Sequence, residues 1–380
     1  TGSDVSLLTG KLPFQTRVLY PPDTLRGTDM YQHLPGILRM HGYRTTSLGV
    51  PYFVDMNTVN FMDAFDAVNC VASPRPAVIK RLSGYGFDKD AYLLSSITKR
   101  IQDRLEHIFF LRKMENPMAA VTEASSTGLT DQRRMKCLLN DLDEAAQAGQ
   151  PLFAHVHLMG THGHKFAPSR QVFSAGQEQT EEWMTDFYDD AILDFDALVE
   201  RLVAYLKETG QYDNTILVLY TDHGQRWIVS NRLPLIFRFP QGEHAGTIRE
   251  NTQILDVAPT LLDYLGIAIP EWMEGDSLLQ PLDPDRLIVA GATNKVEAIS
   301  GNYALPTEKL QPPFYQFTEL WATQCQKSFV INLEQLTMST REVPGHTSPC
   351  PEDALASEEE VWASAGELLE RLGYRLPEGW

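Results

Sequence analysis

The chain is expected to form an α/β domain with a mostly parallel central sheet, followed by a small C-terminal α+β subdomain. Three observations predict this. Residues 44–50, 151–159 and 215–220 are strand-length runs rich in apolar or β-branched residues. Each is preceded or followed by a segment with helical spacing, the alternation that crossover-linked parallel strands require. From Leu287 onward the texture changes to short strand-like runs and one closing amphipathic helix. The expected division is therefore residues 1–282 and residues 283–380.

Bulk composition narrows the partners. A hydrophobic fraction of 43% and a charged fraction of 22% are those of a globular protein. The formal net charge of −18 excludes a nucleic-acid binder, which needs a basic surface. In so acidic a chain an anionic substrate must be drawn in by local cations or by a bound metal. No apolar run reaches membrane-spanning length and no signal peptide is visible. The first residue is Thr1 rather than Met, so a targeting segment, and with it any membrane association, is expected only upstream. Of the four cysteines, none forms a CxxC pair, and Cys325 and Cys350 are a candidate bridge.

Taken in order, residues 6–10 (SLLTG) read as a helix ending at a glycine cap. Gly2, Ser3 and Asp4 would then form the helix N-terminus, a position that favours an anion. Residues 31–40 carry apolar residues at helical spacing, with Gly42 as cap, and lead into the strand at 44–50. Residues 53–70 are irregular and aromatic; helices are expected at 91–111 and 131–147. The strand at 151–159 (PLFAHVHLM) runs into Gly160-Thr161-His162-Gly163-His164. His155 and His157 alternate within the strand and read as structural. His162 and His164 lie past its end, where ligands of open α/β sheets collect, with Lys165 and Arg170 adding positive charge. A long helix is expected over 180–209, strands at 234–239, 287–290, 321–324 and 329–333, and helices at 254–265 and 357–372.

The stretch TILVLYTDHG, residues 215–224, is the centre of the chain. Its apolar part reads as a strand buried on both faces. Asp222 and His223 follow at the strand end, with Gly224 permitting the turn. A carboxylate beside an imidazole is a natural half-site for a divalent metal; a capping Asp beside a surface His fits the same residues. Arg226 and Arg232 flank the stretch and suit an oxyanion.

Four ordered segments carry a resemblance. SLLTGKLP resembles SLLTGRYP of the sulfatases; LPGILRMHGYRTTSLG resembles their helix and GY-T-LG strand; DNTILVLYTDHG resembles their metal-binding DHG. PLIFRFP, ILDVAPTLLDYLGI and Glu274–Leu279 resemble their distal end. HLMGTHGHKF is similar to the HxMGSHGP segment of phosphoethanolamine transferases. The chain thus resembles the sulfatase-like branch of the alkaline-phosphatase superfamily.

The resemblance implies an alkaline-phosphatase-like three-layer sandwich and a metal-dependent hydrolase of sulfate or phosphate esters. The alternatives are a phosphoethanolamine- or phosphoglycerol-type transferase, a phosphodiesterase, or a binding domain without catalysis. Asp222 and His223 would hold a divalent zinc, calcium or manganese ion. His162 would meet the substrate or protonate the leaving group, and Arg226, His164, Arg232 and His244 would bind the substrate. The partner would be a small anionic ester on a glycan or lipid head group. A periplasmic, extracytoplasmic or membrane-anchored location is implied. Three departures stand out: Val50 replaces a lysine, Gly2-Ser3-Asp4 replaces the end of CxPSR or TxPSH, and no histidine closely follows DHG. By the family's count the nucleophile falls just upstream of Thr1, with Thr1 as second candidate. The family's first strand would lie further upstream, and a buried slot or exposed apolar sheet edge is expected in its place.

Overall fold

The computed structural model describes residues 1–21, 23–50, 55–56, 58–72, 130–227, 232–299, 302–343, 350–351 and 354–380, with scattered positions between 97 and 109. Much of the helix expected at 91–111 therefore lies outside the described residues.

The first sheet has the order β3-β2-β1-β4. Its strands are β1 (Arg44–Leu48), β2 (Ala67–Val68), β3 (Val71–Ala72) and β4 (Leu152–Val156). β1 runs parallel to both neighbours, with Thr46 opposite Ala67 and Ala154. It is a polar strand in a buried position; carboxylates satisfy both threonine hydroxyls, while the Ser47 hydroxyl is buried without a hydrogen-bond partner. Thr45 donates its N–H and its hydroxyl to Asp66, at 3.0 and 3.1 Å. Thr46 donates to Asp141 at 2.8 Å. Such pairing removes the cost of burying polar groups.

Helices cover the strands. α1 (Gly2–Thr9), α2 (Pro13–Thr16) and α3 (Leu34–Met40) precede or adjoin β1. α4 (Asp131–Ala148) packs on β4, burying Met135 and Leu138 with Leu48 and Leu198 in one cluster. α5 (Thr185–Glu208) supplies Leu198, and α6 (Val257–Tyr264) packs with α1. The α3 helix starts three residues later than its apolar spacing suggests. His33 caps it by accepting the Gly36 N–H at 2.9 Å, and Pro35 occupies its first turn.

β5 (Leu217–Tyr220) and β6 (Leu235–Arg238) form a separate antiparallel pair, Val218 facing Phe237. The expected continuous sheet is thus interrupted. Among the described strands β4 pairs only with β1, and β5 only with β6. Between them lies a cavity of about 980 Å³, lined by every residue of β4 and β5. The gap holds the two strand pairs apart. It also explains why all four residues of β5, predicted to be buried on both faces, are only half-buried.

The remaining strands are β7 (Leu287–Ala292), β8 (Glu297–Ile299), β9 (Asn302–Ala304), β10 (Glu319–Gln324), β11 (Lys327–Asn332) and β12 (Thr337–Glu342). Four of them form an antiparallel sheet, β12-β11-β10-β7. α7 (Glu358–Arg371) joins this sheet's core, with Val361, Ala365 and Leu369 buried among Phe317, Leu320, Phe329 and Ile331. Ser357 caps α7 through a reciprocal box with Glu360. Phe14 of α2 belongs to the same core, so this region is built partly from the N-terminal segment. Cys325 and Cys350 are bridged, as expected, with Cα atoms 5.6 Å apart. A second bridge, not foreseen, joins Cys70 to Cys137 and ties the β2–β3 turn to α4.

Candidate active site

The site is assembled from three chain segments. The first is α1, which begins at Gly2 and ends at Gly10 in the left-handed region (φ 67°). A Cβ at Gly2 would stand 2.9 Å from the Val18 carbonyl, so only glycine lets the helix start so close to residues 18–19. The helix is almost wholly buried, and Asp4 in its first turn is 0% exposed. Asp4 Oδ1 accepts the Tyr220 hydroxyl at 3.3 Å and lies 3.2 Å from His155 Nε2 and 3.5 Å from His157 Nδ1. Asp4 Oδ2 is buried with no hydrogen-bond partner.

The second segment follows β4. His155 lies within the strand and its Nε2 is 2.8 Å from the Tyr220 hydroxyl. His157 sits just past the strand end. The next turn is pinned from α4: Asp131 accepts the N–H of Met159 at 2.9 Å and of Gly160 at 2.7 Å. His162 then closes the turn, donating its N–H to the Met159 carbonyl at 2.9 Å.

The third segment follows β5. The Thr221 hydroxyl donates to the His223 carbonyl at 2.8 Å. His223 Nδ1 lies 2.9 Å from the Gly224 carbonyl, which can only accept, so Nδ1 carries the proton. In the neutral ring Nε2 is then a lone-pair donor, and it lies 3.7 Å from Asp222 Oδ2. The His162 and His223 rings meet edge to face, with centroids 5.4 Å apart. His162 and Asp222 line the same cavity, as the strand-end argument requires.

Asp4, His157 and Asp222 each offer a ligand atom, all within 4.8 Å of one another. Two carboxylates and an imidazole form a donor set suited to a divalent cation. The unpartnered Asp4 Oδ2 is the group such an ion would satisfy. The residues fit a metal. Electrostatics point the same way. Burial alone would raise the Asp4 carboxyl, but His157 and His155 beside it hold it well below the usual range. Burial would lower His157, and Asp4 outweighs this and raises it. Tyr220 is pushed well above the ordinary phenol by burial and by Asp4 and Asp222.

The other predicted residues divide. Thr1, Arg232 and His244 line the cavity of about 1520 Å³ that opens beside Asp222 and His223. Arg226 is exposed in the left-handed region and borders the slot between β4 and β5 instead. His164 lines neither cavity; its Nε2 is 3.9 Å from Glu182 and its ring meets Trp183. Sequence reading missed Asp4 and His157. Asp4 stands where the sulfatase pattern has the arginine of CxPSR, so a charge reversal there was the available signal. His157 was read as a strand residue, but the strand ends at Val156 and releases it toward Asp4.

Helices around a parallel-containing sheet, with a cluster of two carboxylates and an imidazole beside it, make up a fold shared with solved members of the alkaline-phosphatase superfamily. A member of that superfamily from Vibrio parahaemolyticus superposes with a TM-score of 0.58 at 15% identity, covering 98% of this chain and 76% of the other. The chain belongs to the sulfatase family, whose model, described as Sulfatase, matches residues 5–267. An N-acetylglucosamine-6-O-sulfatase of Bacteroides thetaiotaomicron is 33% identical over 116 residues, 27% of this chain and 21% of that one. Ps i-CgsB, solved in complex with k-i-k-neocarrahexaose, superposes with a TM-score of 0.59 at 16% identity, covering 100% of this chain and 83% of the other. The chain spans about a tenth to a half of the length of the curated relatives it matches.

Proposed function

We propose that this protein hydrolyses sulfate esters carried on a sugar, using a divalent cation held by Asp4, His157 and Asp222. His223 offers Nε2 as a further ligand beside Asp222. The observation that carries the reading is the convergence of these side chains, from three distant segments, beside a large open cavity. Held by these residues, a divalent ion would supply charge compensation for the nonbridging oxygens of a bound ester. Water bonds to the ester sulfur as the bond to the sugar oxygen breaks, and His162 donates a proton to that leaving oxygen. Arg232 and His244, on the cavity wall, bind the ester anion in an otherwise acidic protein. Asp131 positions His162 through the Met159–Gly160 turn.

The sugar is supported by the names of relatives acting on or binding glycans. An extracytoplasmic location is supported by the cysteines: all four are paired, and disulfides persist in oxidising compartments. No helix among the described residues is long and apolar enough to cross a membrane.

The test is hydrolysis of p-nitrophenyl sulfate, p-nitrophenyl phosphate and N-acetylglucosamine 6-sulfate by protein stripped with chelator and reloaded with calcium, zinc or manganese. Metal-dependent release of sulfate supports the reading. A phosphate-only profile moves it to the phosphoesterase side of the superfamily. Metal binding without turnover of any ester removes catalysis.

A further inference from the structure

The two carboxylate oxygens of Asp4 have different surroundings. Oδ1 accepts the Tyr220 hydroxyl at 3.3 Å and faces His155 Nε2 at 3.2 Å. Oδ2 is buried with no hydrogen-bond partner. Tyr220 ends β5 and His155 lies in β4, so the two side chains reach Asp4 from opposite sides of the gap between these strands. Their contact with each other, 2.8 Å from His155 Nε2 to the Tyr220 oxygen, fixes the protons. A tyrosine hydroxyl has a single proton to give. Once that proton goes to Asp4, the phenol oxygen can only accept from His155, so Nε2 carries the proton of the neutral ring. Nδ1, buried and without a partner, is then the bare nitrogen. Both donors converge on Oδ1, and neither reaches Oδ2.

A carboxylate held in this way can give a cation one oxygen but not two. That discriminates between classes of ion. Calcium collects about six to eight oxygen ligands and often takes both oxygens of a carboxylate. Zinc takes about four ligands and accepts nitrogen as readily as oxygen. His157 brings an imidazole to the cluster, and His223 offers Nε2 beside Asp222. We propose that Tyr220 and His155 are positioning residues that hold Asp4 to a single-oxygen contact, and so make the centre select a zinc-class ion over calcium. The proposal rests on the metal reading above and deepens it, assigning the class of ion and two residues outside the ligand set that enforce the choice.

The test is calorimetric titration of the chelator-stripped full chain with zinc and with calcium, read as the ratio of the two affinities. A general loss of folding lowers both affinities together, whereas loss of the clamp on Oδ1 changes their ratio. The parent protein is expected to favour zinc. Tyr220→Phe removes only the hydroxyl and is expected to weaken zinc binding by about tenfold to a hundredfold, the range for groups that orient metal ligands, without weakening calcium binding. His155→Ala should act in the same direction, and His155→Gln, which keeps an N–H donor, should restore most of the ratio. A parent protein that prefers calcium, or an unchanged ratio in both Tyr220→Phe and His155→Ala, overturns the proposal. A parent protein that binds neither ion overturns the clamp and the metal reading together. Zinc selectivity that depends on Tyr220, in a protein that hydrolyses no ester, leaves the clamp standing and ends the hydrolase reading.

Discussion

The carboxylate of Asp4 lies 3.5 Å from the imidazole of His157, although one residue opens the first helix and the other follows the fourth strand. Neither is a natural reading of its local sequence. Together with Asp222 they form a cluster of two carboxylates and an imidazole that fits a cation, and the fully buried Asp4 demands a positive charge beside it.

Removal of a ligand should abolish tight metal binding. Mutation of groups that merely orient ligands costs roughly 10–100-fold in metal affinity. Asp222→Ala and Asp4→Ala should exceed that loss, measured by metal analysis after dialysis and by calorimetry with calcium, zinc and manganese. Metal content equal to that of the parent protein in both variants would show that the cluster is not the centre.

Asp131 touches the site only through backbone, at the Met159 and Gly160 N–H groups. Asp131→Ala should lower kcat by about tenfold to a hundredfold by letting the His162 turn shift, a typical effect of small misplacements. The KM should stay close to that of the parent protein. His162→Ala should cost more, roughly 10²–10⁴ in rate, if its imidazole delivers the proton. Equal losses in the two variants would argue that Asp131 acts on folding instead.

The His33 ring should make stability fall on acidification. Its Nδ1 accepts the Gly36 N–H, while Nε2 lies 3.0 Å from the Met30 and Met62 carbonyls. Only the neutral ring can do this, and burial pushes its pKa from the ordinary 6.5 down to about 4. The unfolded chain therefore binds a proton that the folded one refuses. The His33 contribution is complete above about pH 6.5 and is lost progressively toward pH 4, amounting to about 3 kcal/mol. Urea unfolding at pH 7 and pH 4.5 should show the difference, and His33→Asn should flatten the slope. An unaltered slope in that variant would assign the pH dependence elsewhere.

Both disulfides should stabilise the fold by restricting the unfolded chain. Their sequence separations are 67 and 25, which correspond to about 4 and about 3 kcal/mol in the loop-entropy account. Cys70→Ser with Cys137→Ser should therefore lower the thermal midpoint more than Cys325→Ser with Cys350→Ser. The reverse order would mean that native-state packing, not loop length, governs the two bridges.

The sequence by itself determined a great deal here. Hydrophobic periodicity located β1, β4, β5, β6 and the helices α4 to α7 to within a few residues, because period and capping are local properties. The ordered motifs identified the family, and the strand-end rule brought His162 and Asp222 to one cavity. What only the tertiary structure decided is which polar groups meet. Asp4, His157 and Asp222 are far apart in the chain, and their convergence depends on the close start of α1 against residues 18–19 and on where β4 stops. The same holds for the gap between β4 and β5 and for the Tyr220–His155 contact that spans it, which arise from strand order. Apolar pattern specifies a face to bury, but it carries no information about the long-range partner on which that face, or a charge at its edge, comes to rest.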